Sequence, residues 1–538
     1  MVCAQWEPES SSADEGTASA GALAERGALP SLVDVGGASG DVVRTSPDAL
    51  HDLALDEIFD RLASTRHPGR RSLFETPLGS EDAVRYRQDV FRDLQRQPVR
   101  EAATRCATSL TTARRLLTTA RSVRRRHERD LWHLHGVLEY ARAVDRLEPD
   151  LRAAGASSLG MRRIMGHAAR LTSSSSFVEL RRRSEAVAER LGAVTVSLVA
   201  RDGRVSVGRF DDEADLLADA RRLLGRLVEG GVEKTSEQGA PPMGDWVQSE
   251  VLERAARLFP EVVADLATLA ADFADPLDPV LDAMADDLSF YLSYLDLLAP
   301  LREAGLPICF PEVSSSSTEL DVGDTYDLAL GVRLVADGVP VVLNDVSLHG
   351  RERLLVISGP NQGGKTTMCR TFGQLHHLAA IGCPVPGTRA RVHLADRILT
   401  QFDRDESEDS IEGRLGEDVR RMHRLTQQAT ARSVVVLNEM FSSTTLDDAR
   451  FLTTELLARL RTIGVLVACV SFIDEISRFD AATVSMVATI EPGPAATRTF
   501  HLVRGPSDGR AYARTLALRY GLTADQLRER IATKGDVP

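Results

Sequence analysis

The stretch from Leu354 to Thr367, LLVISGPNQGGKTT, constrains this chain more than any other. An apolar run (Leu354, Leu355, Val356, Ile357) opens into a glycine-rich loop and closes on a lysine and two threonines, which reads as a strand, a phosphate-binding loop and the start of a helix. Gly359, Gly364, Lys365 and Thr366 meet the spacing G-x-x-x-x-G-K-T in full. Each residue type has a physical task when a triphosphate lies there. Glycines let backbone N–H groups turn inward around the phosphates, and Lys365 offers a compact cation to the β and γ phosphates. The Thr366 hydroxyl at the helix start can ligate Mg²⁺, and the helix N-terminus adds its own positive end. Pro360, Asn361, Gln362, Gly363 and Thr367 complete the expected nucleotide loop. The chain has only three lysines, Lys234, Lys365 and Lys534, and uses Arg for nearly every other cation. A lysine here is a specific choice, because a point charge suits this loop better than a planar fork. ATP and Mg²⁺ are the ligands expected.

A chain of 538 residues, 43% of them hydrophobic, can bury several cores. No uninterrupted apolar run of about 18 residues occurs, and no basic segment followed by an apolar one opens the chain, so neither a membrane span nor a secretory signal is supported. A cytoplasmic location is expected. Six cysteines (Cys3, Cys106, Cys309, Cys369, Cys383, Cys469) lack C-x-x-C pairing and are expected as small buried hydrophobes rather than zinc ligands or disulfides. A net charge of −13 does not favour nucleic acid over the whole surface, although a local basic face can still bind phosphate.

Residues 1–48 are rich in Ser, Ala, Gly and Glu and are expected as a disordered tail. A helical region should begin near Leu53, where Leu53, Leu55, Ile58, Phe59 and Leu62 recur at helical spacing, and continue through Arg85–Leu94 with Val90, Phe91 and Leu94 on one face. Ala102–Asp150, almost free of Gly and Pro, reads as long helices. It carries Arg114, Arg115, Arg121, Arg124, Arg125, Arg126 and Arg129. With Arg162, Arg163, Arg170 and Arg181–Arg183, these read equally as a solvated face or as a phosphate-tracking surface; Arg124, Arg125 and Arg126 are the candidate DNA contacts. Thr172–Phe177 is expected as a polar linker and Asp202-Gly203 as a hairpin turn. A helix over Glu213–Val228 and a loop through Gly244 should follow. Val247–Ala304 reads as one long helix, acidic along Asp265, Asp272, Asp282, Asp286 and Asp287, which serves as a lever. Leu328–Leu348 is expected as strands, the helix after Thr367 should stop near Ala380, and residues 403–416 should form a polar loop.

The run SVVVLNEM ends on Asn438 and Glu439, and ligands of open α/β sheets sit off such strand ends. Glu439 is the candidate catalytic carboxylate beside Lys365, able to orient or deprotonate the water that attacks the γ phosphate. Asn438 stands where an Asp commonly supports Mg²⁺; an amide can accept from a metal-bound water but brings no charge.

From these motifs the carboxy-terminal half resembles the ATPase domain of the MutS family of DNA mismatch repair proteins. The resemblance runs through VVLNDVSL from Val341, SGPNQGGKTT, IGCPVP, ADRILT, EGR at Glu412–Arg414, VVVLNEMFSSTTLDDA, VACVSF and HLVRGPSDGRAYA. Upstream, LDEIFDRL, TPLGSEDAVRYRQDVFRDL and DLSFYLSYLDLLAPLREAGLPICFPEV look like the family's helical core and lever. The resemblance implies an α/β P-loop, ABC-type ATPase domain over 313–538, preceded by a mostly α-helical core and lever domain with a hairpin-bearing insertion over 49–312. It also implies a dimer with sites shared between subunits and a clamp around DNA. Val341 and Asn344 fall in the segment it puts against the nucleotide, with Val341 in the place of an aromatic that stacks on adenine. Gly413, Arg414, Ser443, Thr444 and Asp447 fall at the expected interface in trans. Three departures stand out: Leu415 where a serine follows Gly-Arg, Ser471-Phe472 where a Thr-His pair is usual, and nothing before Leu53 to form a mismatch-reading domain.

The expected function is a homodimeric MutS-like ATPase acting on DNA structure. Two alternatives stay open: a nucleotide-gated clamp that hydrolyses little, and a scaffold that holds proteins without nucleic acid.

Overall fold

The computed structural model describes residues 30–34, 43–66, 71–201, 204–210, 245–402, 413–490, 498–506, 517 and 520–534. Leu32 and Val33 are buried, the Asp287 carboxylate accepts from the Leu32 N–H at 3.1 Å and the Ser31 hydroxyl at 2.9 Å, and the Tyr86 hydroxyl donates to the Ser31 carbonyl at 2.6 Å. The expectation of a structureless segment up to residue 48 is therefore corrected for 30–34 and 43–48. Two apolar side chains and one buried acid seat a stretch whose average composition is polar.

Helices α1 (Pro47–Asp52), α2 (Asp56–Arg66), α3 (Arg71–Glu75) and α4 (Glu81–Gln95) open the helical region. Ser46 and Ser80 cap α1 and α4 by accepting from the N–H groups of Ala49 and Ala83. Helices α5 (Gln97–Ser122) and α6 (Arg126–Ala153) form a long hairpin. It closes tightly at Gly136, where an added Cβ would meet Leu117 Cγ at 2.7 Å. Helices α7 (Leu159–Thr172) and α8 (Ser175–Gly192) follow. The linker expected at Thr172–Phe177 shrinks to Ser173 and Ser174, because the Ser174 hydroxyl caps α8 at the Phe177 N–H. Strands β1 (Val196–Arg201) and β2 (Arg204–Arg209) pair antiparallel around the expected turn. The Asp202-Gly203 turn itself, the helix expected over Glu213–Val228 and the loop to Gly244 lie outside the described residues.

The single lever helix is corrected to three: α9 (Asp245–Leu258), α10 (Pro260–Asp272) and α11 (Pro279–Glu303). Pro260 and Pro279 have no N–H to continue a preceding helix but fit a first turn at no cost. The acidic residues of this stretch meet the basic residues upstream: Arg114 reaches Asp282 at 2.6 Å and Asp286 at 2.9 Å, and Arg183 reaches Asp272 at 2.7 Å. Two runs of opposite charge, far apart in sequence, thus neutralise each other across a packed interface.

The remaining elements are β3 (Ile308–Cys309), β4 (Glu312–Ser314), β5 (Leu320–Thr325), α12 (Leu328–Ala336), β6 (Asn344–Leu348), β7 (Leu354–Ser358), α13 (Lys365–Ala380), β8 (Val385–Pro386), β9 (Arg389–His393) and β10 (Ile398–Gln401). After them come α14 (Gly413–Gln428), β11 (Val434–Asn438), α15 (Leu446–Ile463), β12 (Leu466–Val470), β13 (Thr483–Ile490), β14 (Arg498–Arg504) and α16 (Ala524–Lys534). The boundary expected at 312–313 falls inside β4. The strand expected from Leu328 is a helix, because the Asp327 carboxylate caps it at the Leu330 N–H and its apolar run suits either period.

Six strands form one sheet in the order β10-β11-β12-β7-β13-β14, parallel throughout except for β14. All five residues of β7, β11 and β12 are buried, the near-continuous apolar pattern of parallel strands covered on both faces. Helix α13 covers one face and α14 with α15 the other. The apolar core under α13 continues without a break through Phe59, Phe74, Phe290 and Tyr294 into the helical region.

Candidate active site

The loop between β7 and α13 holds its shape through backbone that only some residues tolerate. Gly359 has φ 121° and Gly364 φ 93°, and a Cβ on Gly359 would stand 3.0 Å from the Ala488 nitrogen. A Cβ on Gly363 would be 3.0 Å from the Pro360 carbonyl oxygen. Gln362 takes the left-handed region at φ 62° despite its side chain.

Lys365 opens α13 and is buried, and its Nζ donates to the Gly359 carbonyl at 2.9 Å and to Asn361 Oδ1 at 3.0 Å. Burial lowers its pKa and the nearby Glu439 carboxylate opposes that shift. The ammonium is thus held inside the turn of the loop by neutral oxygens. Thr366 Oγ1 donates to Asn438 Oδ1 at 3.0 Å, joining the start of α13 to the end of β11. Glu439 follows at φ 51°, its N–H bonded to the Val470 carbonyl at 3.2 Å, and Phe441 has φ 55°. Two non-glycine residues in the left-handed region within three positions mark stored backbone strain where the strand ends.

Beside the loop lies an apolar cavity of about 330 Å³ whose walls include Val341, Asn344, Gly364, Thr367, Phe500 and Leu502. Both ends of the Asn344 amide are used: Nδ2 donates to the Phe500 carbonyl at 3.1 Å, and Oδ1 accepts from the Leu502 N–H at 2.7 Å. Sequence reasoning named Val341 and Asn344 but missed Phe500. The alternation of RTFHLVR reads as a regular edge strand and gives no sign of the irregularity that sets this ring apart.

Gly413 and Arg414 open α14, which corrects the loop expected through residue 416; Glu412 lies outside the described residues. Leu415 packs on the apolar cluster under α14. Between β11 and α15, Ser443 is exposed, Thr444 Oγ1 donates to Asp448 Oδ2 at 3.4 Å, and Asp447 pairs with Arg450 at 3.5 Å. Leu446 and Phe451 on α15 are exposed at 61% and 63%, and Phe472, just past β12, at 53%. Arg124, Arg125 and Arg126 are exposed at the turn between α5 and α6. Arg126 also reaches Asp130 at 3.9 Å, and Arg121, Arg129, Arg181 and Arg182 pair with Asp275, Asp130, Asp145 and Glu179, so most of the basic stretch is committed within the protein. Cys106, Cys369, Cys383 and Cys469 are buried free thiols, and burial pushes Cys106 and Cys469 up to about 12.

Residues 355–482 match the family model of MutS domain V. Over this segment the chain is similar to domain V of MutS proteins. Among its relatives, the DNA mismatch repair protein MutS of Chlorobaculum tepidum is 31% identical over 201 residues, 37% of this chain and 21% of that protein. The DNA mismatch repair protein MutS of Chlorobium phaeobacteroides is 30% identical over 140 residues, 26% of this chain and 16% of that protein. The chain therefore spans about a fifth of the length of the MutS proteins it matches. The domain V match takes in the glycine loop, Asn438, Glu439 and Ser443–Asp447, and leaves Val341, Phe500 and the α5–α6 hairpin outside it. Among the described residues, no helix is long and apolar enough to cross a membrane.

Proposed function

We propose that this protein is a Mg²⁺-dependent P-loop ATPase of the ABC type, working as a homodimeric clamp on DNA in mismatch repair or related DNA processing, in the cytoplasm. The observation that carries the reading is the junction of two strand ends. Lys365 is folded into the glycine loop, and Thr366 is joined to Asn438 at 3.0 Å, one residue before Glu439. A triphosphate on the loop meets the N–H groups at the start of α13 and takes Lys365 as its cation in place of the Gly359 and Asn361 oxygens. Thr366 and Asn438 are the residues that would hold Mg²⁺, which when bound neutralises charge on the β and γ phosphates. Glu439 orients the attacking water and accepts its proton.

The dimer reading rests on the exposed Leu446, Phe451 and Phe472, apolar side chains that a second copy would cover, and it assigns Ser443, Thr444, Asp447, Gly413 and Arg414 to the contact in trans. The DNA reading rests on Arg124, Arg125 and Arg126 at the hairpin tip. In this account α9–α11 and the α5–α6 hairpin form the core and lever. A second reading, a nucleotide-gated clamp with little turnover, is favoured by the uncharged Asn438 and by Leu415 and Phe472 where polar groups would serve the γ phosphate.

ATP turnover by the purified chain, with and without duplex, mismatched and branched DNA at stated salt, separates the two. The ATPase reading expects Glu439→Gln to cut turnover by at least about a hundredfold while ATP still binds. Wild-type turnover no faster than that of Glu439→Gln would favour the clamp.

A further inference from the structure

The pairing of β13 with β14 is regular at Ala488 with Leu502 and again at Ile490 with Arg498, so between them the single residue Thr489 faces Thr499, Phe500 and His501. Such a bulge leaves residues unpaired and re-aims their side chains. Phe500 sits in it at φ 58°, a conformation that costs a bulky residue on the order of 1–3 kcal/mol and persists only where neighbours enforce it. They do so here. Thr489 Oγ1 donates to the His501 carbonyl at 3.0 Å, Thr499 Oγ1 donates to the Thr489 carbonyl at 3.0 Å, and the Asn344 amide clasps the Phe500 carbonyl and the Leu502 N–H. The result is an aromatic side chain left 47% exposed, lining the apolar cavity, with its Cα 4.0 Å from where a Cβ on Gly364 would stand.

The geometry points to Phe500 as the ring on which the base of a bound nucleotide stacks. This inference rests on the nucleotide reading above and adds a residue to it. The cavity borders both Gly364 and Thr367, so a nucleotide with its phosphates on the loop has its base within reach of it. Its volume of about 330 Å³ lies within the range of small-molecule sites. Val341 offers only a branched aliphatic wall, so Phe500 supplies the aromatic face that position 341 lacks. Four of the polar side chains around the cavity are already engaged, while the Tyr326 hydroxyl is buried without a partner. Thr325 Oγ1 donates to the Pro386 carbonyl, Thr371 Oγ1 to the Thr367 carbonyl, Asp327 accepts from the Leu330 N–H, and Asn344 is held as described. Phe500 itself adds affinity for any nucleobase and little choice among them, because every base has a π face.

The test is equilibrium binding of ATP, GTP and inorganic tripolyphosphate to the full chain, comparing wild type, Phe500→Ala, Phe500→Trp and Lys365→Ala. Ala and Trp both keep a Cβ, so the backbone strain is common to both and any difference between them reports the ring. Phe500→Ala should weaken ATP and GTP by a similar factor of about tenfold or more and leave tripolyphosphate unchanged. Phe500→Trp should restore nucleotide affinity and show a fluorescence change with ATP, absent in wild type, that tripolyphosphate does not elicit. Lys365→Ala should lose all three ligands. Unchanged ATP binding in Phe500→Ala, or an equal loss of tripolyphosphate, would overturn the inference and leave the loop reading standing. Failure of the wild type to bind any of the three would overturn both.

Discussion

At its N-terminal end α13 starts on a left-handed Gly364 and turns Lys365 and Thr366 toward a loop bordered by Gln362, Glu439, Phe441 and Phe500, each at positive φ. At its C-terminal end the same helix is enclosed. Gln374 donates to the Leu53 carbonyl at 2.8 Å and to Asp327 at 2.9 Å and accepts from the Leu328 N–H at 2.8 Å. His377 meets Thr45 Oγ1 at 3.2 Å and the Phe74 carbonyl at 2.7 Å, and just beyond the helix Arg87 donates to the Ile381 carbonyl at 2.9 Å. One end stores strain and keeps bonding capacity for a ligand, while the other spends its capacity on the helical region. A rigid helix with one open and one clamped end can carry a change at the loop to α2, α4 and α11 without being rebuilt.

The largest expected effect is at the clamped end. Leu53 is fully buried, and its Cδ2 lies 2.3 Å from where a Cβ on Gly373 would stand. Leu53→Ala should cost about 3 kcal/mol in urea unfolding and change ATP affinity less than twofold. A loss of affinity that tracks the loss of stability would erase the distinction between the two ends.

Next is pH. Burial pushes His376 down to about 3 and His377 to about 4, below the 6.5 of an unfolded histidine. Both are neutral in the folded state, so below pH 6.5 the unfolded chain takes up protons that the folded one refuses, and stability falls toward pH 4. Between pH 7.5 and 5.5 this amounts to about 1.4 kcal/mol for each histidine. Burial lowers His133 and His135 as well, so His377→Asn should remove about 1.4 kcal/mol of the pH dependence measured by denaturation and leave the rest; an unchanged slope would show that this ring does not contribute to it.

The smallest effect sharpens the open end. Asn438→Asp adds a carboxylate where Thr366 now finds an amide, and should lower the Mg²⁺ concentration for half-maximal ATP binding several-fold, about 1 kcal/mol. No change in the Mg²⁺ requirement would remove Asn438 from the metal's surroundings.

Much of the open end was legible because its signals are local. The glycine spacing and the apolar run before it lie within a few residues of one another, and β11 ends on Asn438 as its pattern implied. The clamped end was not, because its partners lie hundreds of residues away: Leu53 against Gly373, and Thr45 against His377. The same holds for charge. The arginines that suggested a phosphate surface meet acids such as Asp282 and Asp272 that sequence reading had assigned to a separate lever. Leu328–Ala336 was misjudged because its apolar run suits both periods and only the Asp327 cap decides. Pro260 and Pro279 mark the breaks in the supposed lever locally, a signal that the reading of one long helix left out. Phe500 depends on a bulge fixed by Thr489 and Asn344, a tertiary arrangement with no local mark.

The most direct test of the account is equilibrium binding of Mg²⁺-ATP to wild type and Lys365→Ala at matched ionic strength, with the unliganded melting temperature of each recorded alongside. The account predicts saturable binding by wild type, at least about a hundredfold weaker in Lys365→Ala, with the unliganded melting temperatures within a few degrees because the clamped end is untouched. Equal binding by the two proteins, or none by wild type, would contradict it.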